Sequence, residues 1–345
     1  MVPALAFIRA TMADQDSWKG RSSAMRRCSP LFYLVLILAS RGVAEDLLAD
    51  LRAEVAAVVA SASVRCSESV KGDGGPMVRN CALKLNGESA SYELSYKSFL
   101  PPNHARNRSE LNDWASGLGM IQPSIHGWYS NGFVEVSLSN SKSVANTADW
   151  CGSARLVRES GKVVAGDFAW DLPTGQVVLR FFLLADRAEL FLQVSARPTI
   201  PDSRIQVSFR CYPGGFQGPF DRVVHTALQQ FANDGPKDVA LRIDPQKEPW
   251  MLLADHYAGV TPRPMGPCSI AAAPEDIESA SATIKRNYSI LPTYALAPGK
   301  TSARFAIREF PPISWQSAKA EVAATSEEAL AAAREALKLL PPLHE

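Results

Sequence analysis

Neither sign of charge is in excess in this chain of 345 residues, where 36 Lys and Arg face 35 Asp and Glu. A protein that neutralises a run of nucleic-acid phosphates needs a surplus of positive charge, so nucleic acid is not an expected partner. Long hydrophobic runs are missing too. A membrane helix takes about 20 apolar residues, and the longest run here is Leu31 to Ala39. The six cysteines include no CxxC pair, which removes the zinc-ribbon and thioredoxin signatures. GxSxG, HExxH and a GxGxxG opening a helix are absent as well. No metal and no cofactor is expected from these absences. Gly299-Lys300-Thr301 has the form of the end of a phosphate loop, but the Gly required five residues before Gly299 is Tyr294. An alternating strand pattern follows (Ala303, Phe305, Ile307) where a phosphate loop needs a helix. Nucleotide binding is therefore not expected, and Pro298-Gly299 reads as the centre of a type II turn.

The first 44 residues carry six basic groups and two acidic ones, leaving 30 basic and 33 acidic in the rest. Arg26 and Arg27, the apolar stretch Leu31 to Ala39, and the small residues Gly42-Val43-Ala44 form the three parts of a secretory signal. The expectation is an initiator at Met25, cleavage after Ala44, a secreted or periplasmic product, and no stable membrane span after cleavage. In an oxidising compartment Cys66 and Cys81, which flank the glycine-rich turn 71–76, make the most plausible disulfide.

Behind the signal, Leu47, Leu51, Val55 and Val58 recur at helical spacing and predict an N-terminal helix over 45–62. The period then falls to two. Tyr92, Leu94 and Tyr96, then Val134, Val136 and Leu138, then Ile205, Val207, Phe209 and Cys211 alternate with polar residues, as in strands with one buried face. Val177 to Leu184 and Leu190 to Val194 are apolar on both faces and read as central strands. Pro173-Thr174-Gly175 and Ala185-Asp186-Arg187 supply turns for consecutive antiparallel strands. The segment 98–129 is irregular and long for a connection. From Ser314 a helical pattern returns, with Ala320, Ala324, Leu330, Ala333, Leu337 and Leu340 on its apolar face and a restart at Thr325-Ser326-Glu327-Glu328. The fold class is mainly β. A large antiparallel, supersandwich-like β-sandwich over 63–313 is expected to carry the N-terminal helix and a C-terminal amphipathic helix over 314–345.

Two constellations carry chemistry. The apolar strand Trp250 to Ala254 ends in Asp255-His256-Tyr257, so an acid and an imidazole emerge together and could act as a catalytic pair, the carboxylate orienting the ring. His126-Gly127-Trp128-Tyr129 places flat aromatic faces beside polar groups, a combination suited to sugar rings. Arg210 and Tyr212 flank Cys211, and His225 follows; Arg210 could pair with a carboxylate. The candidate site is thus Asp255 and His256 as catalytic groups, with Trp128, Tyr129, Arg210, Tyr212 and His225 as ligand-binding residues. Glu135, Asp167, Asp171, Glu189 and Asp255 are all eligible for a two-carboxylate glycosidase, and spacing does not choose among them.

From Trp250 through Phe310 there is a strand ending in Asp255, then Gly266-Pro267-Cys268, strands around Ile284 and Tyr294, and a Pro298-Gly299 hairpin into Phe305. This layout resembles the closing part of galactose-mutarotase-like and polysaccharide-lyase-like β-sandwiches. The resemblance implies the fold and, by analogy, a poly- or oligosaccharide ligand. Mutarotases use paired His and a Glu base, a set that does not map onto His126, His225 or His256 from sequence. An exported carbohydrate-binding or carbohydrate-processing protein is the leading expectation. The second is a non-catalytic structural or interaction component of the cell envelope.

Overall fold

The computed structural model describes residues 59–70, 77–100, 117–124, 127–128, 132–233, 235–259 and 265–343. The predicted signal, its cleavage site and nearly all of the N-terminal helix lie outside them. At the end of that helix prediction, Ala60 onward is strand.

The strands in chain order are β1 (Ala60–Val70), β2 (Met77–Asn86), β3 (Ser91–Leu100), β4 (Gly117–Gln122), β5 (Val134–Ser139), β6 (Val144–Asn146), β7 (Gly152–Arg158), β8 (Ser160–Gly161), β9 (Val163–Leu172) and β10 (Gly175–Leu184). They continue with β11 (Leu190–Pro198), β12 (Arg204–Phe209), β13 (Arg222–His225), β14 (Gln230–Ala232), β15 (Val239–Ile243), β16 (Trp250–Asp255), β17 (Cys268–Ala272), β18 (Ile277–Lys285), β19 (Ser289–Leu296) and β20 (Ser302–Glu309). One helix, α1 (Trp315–Leu337), closes the described chain.

The pairings among these strands are antiparallel, and they build three sheets. Nine strands run in the order β14-β13-β16-β17-β20-β11-β10-β9-β7, six in the order β15-β18-β19-β12-β5-β6, and five in the order β4-β3-β2-β1-β8. β1 and β2 contact β7 and β9, and β13 contacts β18 and β19, so the two smaller sheets face the large one over opposite halves. Alternation fills the space between them: Leu179, Phe181, Leu192, Val194, Phe305 and Ile307 from the large sheet meet Leu83, Leu94, Val136, Val207 and Ile290 in one core.

The other face of the nine-stranded sheet is covered by α1. Trp250, Leu252, Ala271, Ala306, Phe182 and Phe191 pack there against Ala318, Val322, Ala329, Ala333 and Ala336. This second apolar layer explains why β10, β11 and β16 read as apolar on both faces. Ser314 caps α1 by accepting the Ser317 backbone N–H at 3.1 Å. The helix runs unbroken through Thr325-Ser326-Glu327-Glu328, so the predicted restart is not used. The predicted face is also rotated: Ala320 and Ala324 are exposed, while Ala318, Val322 and Ser326 are buried. In an alanine-rich helix the apolar contrast that fixes the face is weak, and the sheet it docks on decides.

The disulfide forms as expected, with Cys66 directly opposite Cys81 in the β1–β2 pair. Within the irregular segment, β4 adds to the edge of the five-stranded sheet by pairing with β3. The strand around Ile284 ends at Lys285, and a turn at Arg286 and Asn287, both with positive φ, leads into β19. Gly299 takes a φ of 76°, as a type II turn requires. The strands it joins are not a hairpin, however: β19 belongs to the six-stranded sheet and β20 to the nine-stranded one.

Candidate functional site

Asp255 and His256 are neighbours in sequence but not in chemistry. Asp255, at the end of β16, follows the parity of Met251 and Leu253 and points between the sheets, where it is 2% exposed. Its Oδ2 lies 3.1 Å from Nη1 of the fully buried Arg222 in β13, and its Oδ1 accepts the backbone N–H groups of Asp221 and Tyr257. The carboxylate is therefore committed to an ion pair and a turn rather than to orienting His256. That corrects the expected Asp255–His256 dyad, and the reason is strand alternation.

His256 instead meets Asp221, whose Oδ2 lies 3.5 Å from Nδ1, and His225, whose Nε2 lies 3.1 Å from its own Nε2. His225 ends β13 on the face covered by α1. Trp315 stacks over both imidazoles at 4.4 and 4.7 Å between ring centres. The ring centres of the two histidines are 5.3 Å apart, so the facing nitrogens meet nearly head-on, as in an N–H···N hydrogen bond with one shared proton. Burial first, then His256 and Lys319, push the His225 imidazole down to about 4, keeping it neutral at ordinary pH. This arrangement pins the first turn of α1 to the sheet.

Three of the other predicted ligand-binding residues are brought together, because Trp128 bridges to Cys211 between Arg210 and Tyr212. Trp128 is fully buried in the core against Phe133 and Phe209, so its ring faces are covered by protein. Tyr129 lies outside the described residues, as does His126. Arg210 is half-buried, with parity opposite to the buried Phe209 and Cys211, and its backbone N–H donates to Phe133 O. Tyr212 is 6% exposed and packs on Phe216 and Tyr288. Trp128 and the histidine pair thus lie on opposite faces of the nine-stranded sheet.

The chemistry that the sequence reading missed is Glu309. β20 sends Ala303, Phe305 and Ile307 inward, and Glu309 continues that parity as a carboxylic acid 9% exposed. It borders a cleft of about 400 Å³ between the start of β3, Pro123 and Ser124 after β4, Met265, and the end of β20. Ser89, Ser91 and Ser124 contribute hydroxyls to the lining, and Tyr92, Met265 and Phe310 contribute apolar surface. Burial pushes the Glu309 carboxyl up to about 7, against the opposing pull of the Ser124 hydroxyl and the Trp128 backbone N–H. Its Oε2 has no hydrogen-bond partner among the described residues. A buried polar atom left unpaired is costly, and a catalytic role is one of the reasons a fold keeps one.

Gly127 makes room for that carboxyl, because a Cβ there would stand 2.5 Å from Glu309 Oε2. Gly127→Ala should therefore force the Glu309 side chain aside and lower any turnover that depends on it, with the fold intact by near-ultraviolet circular dichroism. Unchanged turnover would show that the observed carboxyl position is not the working one.

No protein-family model and no curated protein matches the chain. Among solved structures, it is similar to the galactosidase domain of an alpha-galactosidase-sucrose kinase, with 13% identity and a TM-score of 0.38 over 66% of this chain and 41% of that one. The chain thus spans about two fifths of that protein's length. A second similarity is to a Klebsiella pneumoniae protein assigned as an aldose 1-epimerase, with 10% identity and a TM-score of 0.43 over 77% of this chain and 95% of that one. A third is to an alpha-N-acetylgalactosaminidase from Bifidobacterium bifidum, with 12% identity and a TM-score of 0.39 over 76% and 39% of the two chains. At these identities and TM-scores the likenesses carry no conclusion about this chain's activity or ligand.

Proposed function

We propose that this protein is an exported carbohydrate-processing protein in which Glu309 transfers protons at a saccharide held in the cleft. The observation that carries the reading is the unpaired, buried Glu309 Oε2 beside a cleft of ligand size. A carboxyl held near 7 has both protonation states at hand around neutral pH, which suits a general acid or base. Hydroxyls alternating with apolar surface in the lining match a sugar, whose hydroxyls ring apolar C–H faces. Among the described residues lining the cleft, Glu309 is the one carboxylate. Glycosidases of the usual kind need two, so proton transfer to or from a sugar oxygen fits better than hydrolysis.

The decisive experiment combines a nuclear magnetic resonance assay of anomer exchange on freshly dissolved aldoses with a depolymerisation screen, on wild type and on Glu309→Gln. Activity in wild type that Glu309→Gln loses supports the reading. Activity that survives the substitution, or none in wild type, ends it.

Export rests on the leader sequence and is supported by the Cys66–Cys81 disulfide, a bond that persists in oxidising compartments. N-terminal sequencing of the secreted protein should begin at Glu45; a product that begins at Val2 or Pro3 would remove the signal assignment.

A further inference from the structure

We propose that a file of aromatic rings beside the cleft is a second saccharide-binding position, so that the ligand is an oligo- or polysaccharide rather than a single sugar. This rests on the reading of the Glu309 cleft given above.

The file runs through two loops at one end of the sandwich. Phe216 packs on Tyr212 with ring centres 4.7 Å apart, Tyr212 on Tyr288 at 5.1 Å, and Tyr288 on Phe220 at 5.4 Å. Tyr212 is buried beneath, Phe216 and Phe220 are half-buried, and Tyr288 is 39% exposed. An aromatic ring braced on two sides by other rings, with part of its surface in solvent, loses little conformational freedom when a flat apolar ligand face covers it. Pyranose C–H faces are ligands of that kind.

The loops are locked together from below. The buried Arg222 donates from Nη2 to Gly215 O at 2.5 Å and from Nε to Tyr288 O at 3.2 Å, and its guanidinium lies 4.6 Å from the Phe220 ring centre. Asn287 bridges them again: its Nδ2 donates to Phe220 O at 2.7 Å, and its Oδ1 accepts the Arg222 backbone N–H at 2.8 Å. Arg286 and Asn287 both hold the left-handed backbone conformation, with φ of 49° and 54°, which is how the turn delivers Tyr288 to the file. Asp221 and His256, both partly exposed, stand next to Phe220 and Tyr257 in the chain and offer hydrogen-bonding groups at the edge.

Continuity with the cleft is what selects a saccharide as occupant. Gly214, in the same loop as Phe216, donates its backbone N–H to Gly266 O, and Gly266 donates to Phe310 O. Met265 and Phe310 line the cleft. Tyr212 N–H also donates to O of Gly127, the residue packed against Glu309. The loop bearing the rings is thus the backbone neighbour of the cleft wall.

The test is affinity gel electrophoresis of the full chain in gels containing galactomannan, xyloglucan, mixed-linkage β-glucan, arabinogalactan or alginate. Wild type should be retarded by at least one of them, and Tyr288→Ala should weaken that retardation at least tenfold. Tyr288→Trp, which keeps a flat face, should restore it, and Phe220→Leu, which keeps bulk but not the face, should weaken it; these two carry the test if Tyr288→Ala fails to fold. Wild type unretarded in every gel, or Tyr288→Ala retarded as wild type, overturns the proposal. If Tyr288→Ala binds normally while Glu309→Gln loses turnover, the aromatic file falls and the cleft reading stands. If Glu309→Gln keeps turnover while Tyr288→Ala loses binding, the reverse holds.

Discussion

Replacing Glu309 with Gln should lower turnover on any sugar that the cleft processes by about 10²- to 10⁴-fold, the usual contribution of a positioned acid or base, and should stabilise the fold above neutral pH. The two effects have one cause. In the folded chain the carboxyl titrates at about 7 instead of its ordinary 4.5, because burial disfavours the carboxylate. Between those values the folded state keeps a proton that the unfolded state has released, so stability falls as pH rises through the window and the loss is complete above 7. At 1.36 kcal/mol per pH unit the full loss is about 3 kcal/mol. Gln has no proton to lose. Thermal or urea unfolding of the two proteins should coincide near pH 4 and diverge by that order at pH 8, with Glu309→Gln the more stable. Parallel stability at both pH values would mean that the carboxyl is not buried as described. A buried acid whose pKa is raised by burial and which borders a cleft is a functional-site candidate.

Truncating Arg222 to Ala should cost about 3–5 kcal/mol, the usual penalty when one partner of a buried ion pair is removed. Arg222 and Asp255 have side chains 0% and 1% exposed, so the carboxylate left behind has no access to water. The carbonyls of Gly215 and Tyr288 lose their donor in the same step. Against a typical domain stability of about 5–15 kcal/mol that is a large fraction, to be read as a fall in the denaturation midpoint in urea. The double replacement Arg222→Met with Asp255→Leu should recover part of the loss, since an apolar pair avoids the desolvation cost of both charges. Recovery should stay incomplete, because neither new side chain can serve the two carbonyls. A single substitution that leaves the midpoint within about 0.5 kcal/mol of wild type, as surface changes do, would show that the pair is not buried in solution.

Much of the architecture was legible in the sequence, because alternation is a local property. Tyr92, Leu94 and Tyr96, or Val134, Val136 and Leu138, announce a buried strand face wherever their partners come from. Glu309 was open to the same reading. It sits two residues beyond Ile307 at an inward position, and an acid at inward parity is the signal that a buried carboxyl leaves in a sequence. The Asp255–His256 dyad failed for the complementary reason: adjacent residues at a strand end leave on opposite faces, so closeness in the chain argued against their meeting. Trp128 went wrong through exposure, since an aromatic residue beside glycine and histidine reads the same whether its ring faces a sugar or Phe209. The histidines did meet each other, across the β13–β16 pair, but under Trp315 from a helix 59 residues further along than His256.

By itself the sequence determined the strands with clear alternation or apolar runs, where several of the turns fall, which cysteines lie close enough to pair, and that a helix ends the described chain. Each follows from side-chain periodicity or backbone preference within a few residues. Which sheet each strand joins was decided only by tertiary packing: the Pro298-Gly299 turn is written in the sequence, yet it crosses between two sheets. The same holds for the face of α1, for the partner of Asp255, and for the proton held on Glu309. Each depends on apolar surface and charge contributed by residues remote in sequence, and burial, the quantity that sets them, exists only once the layers have closed.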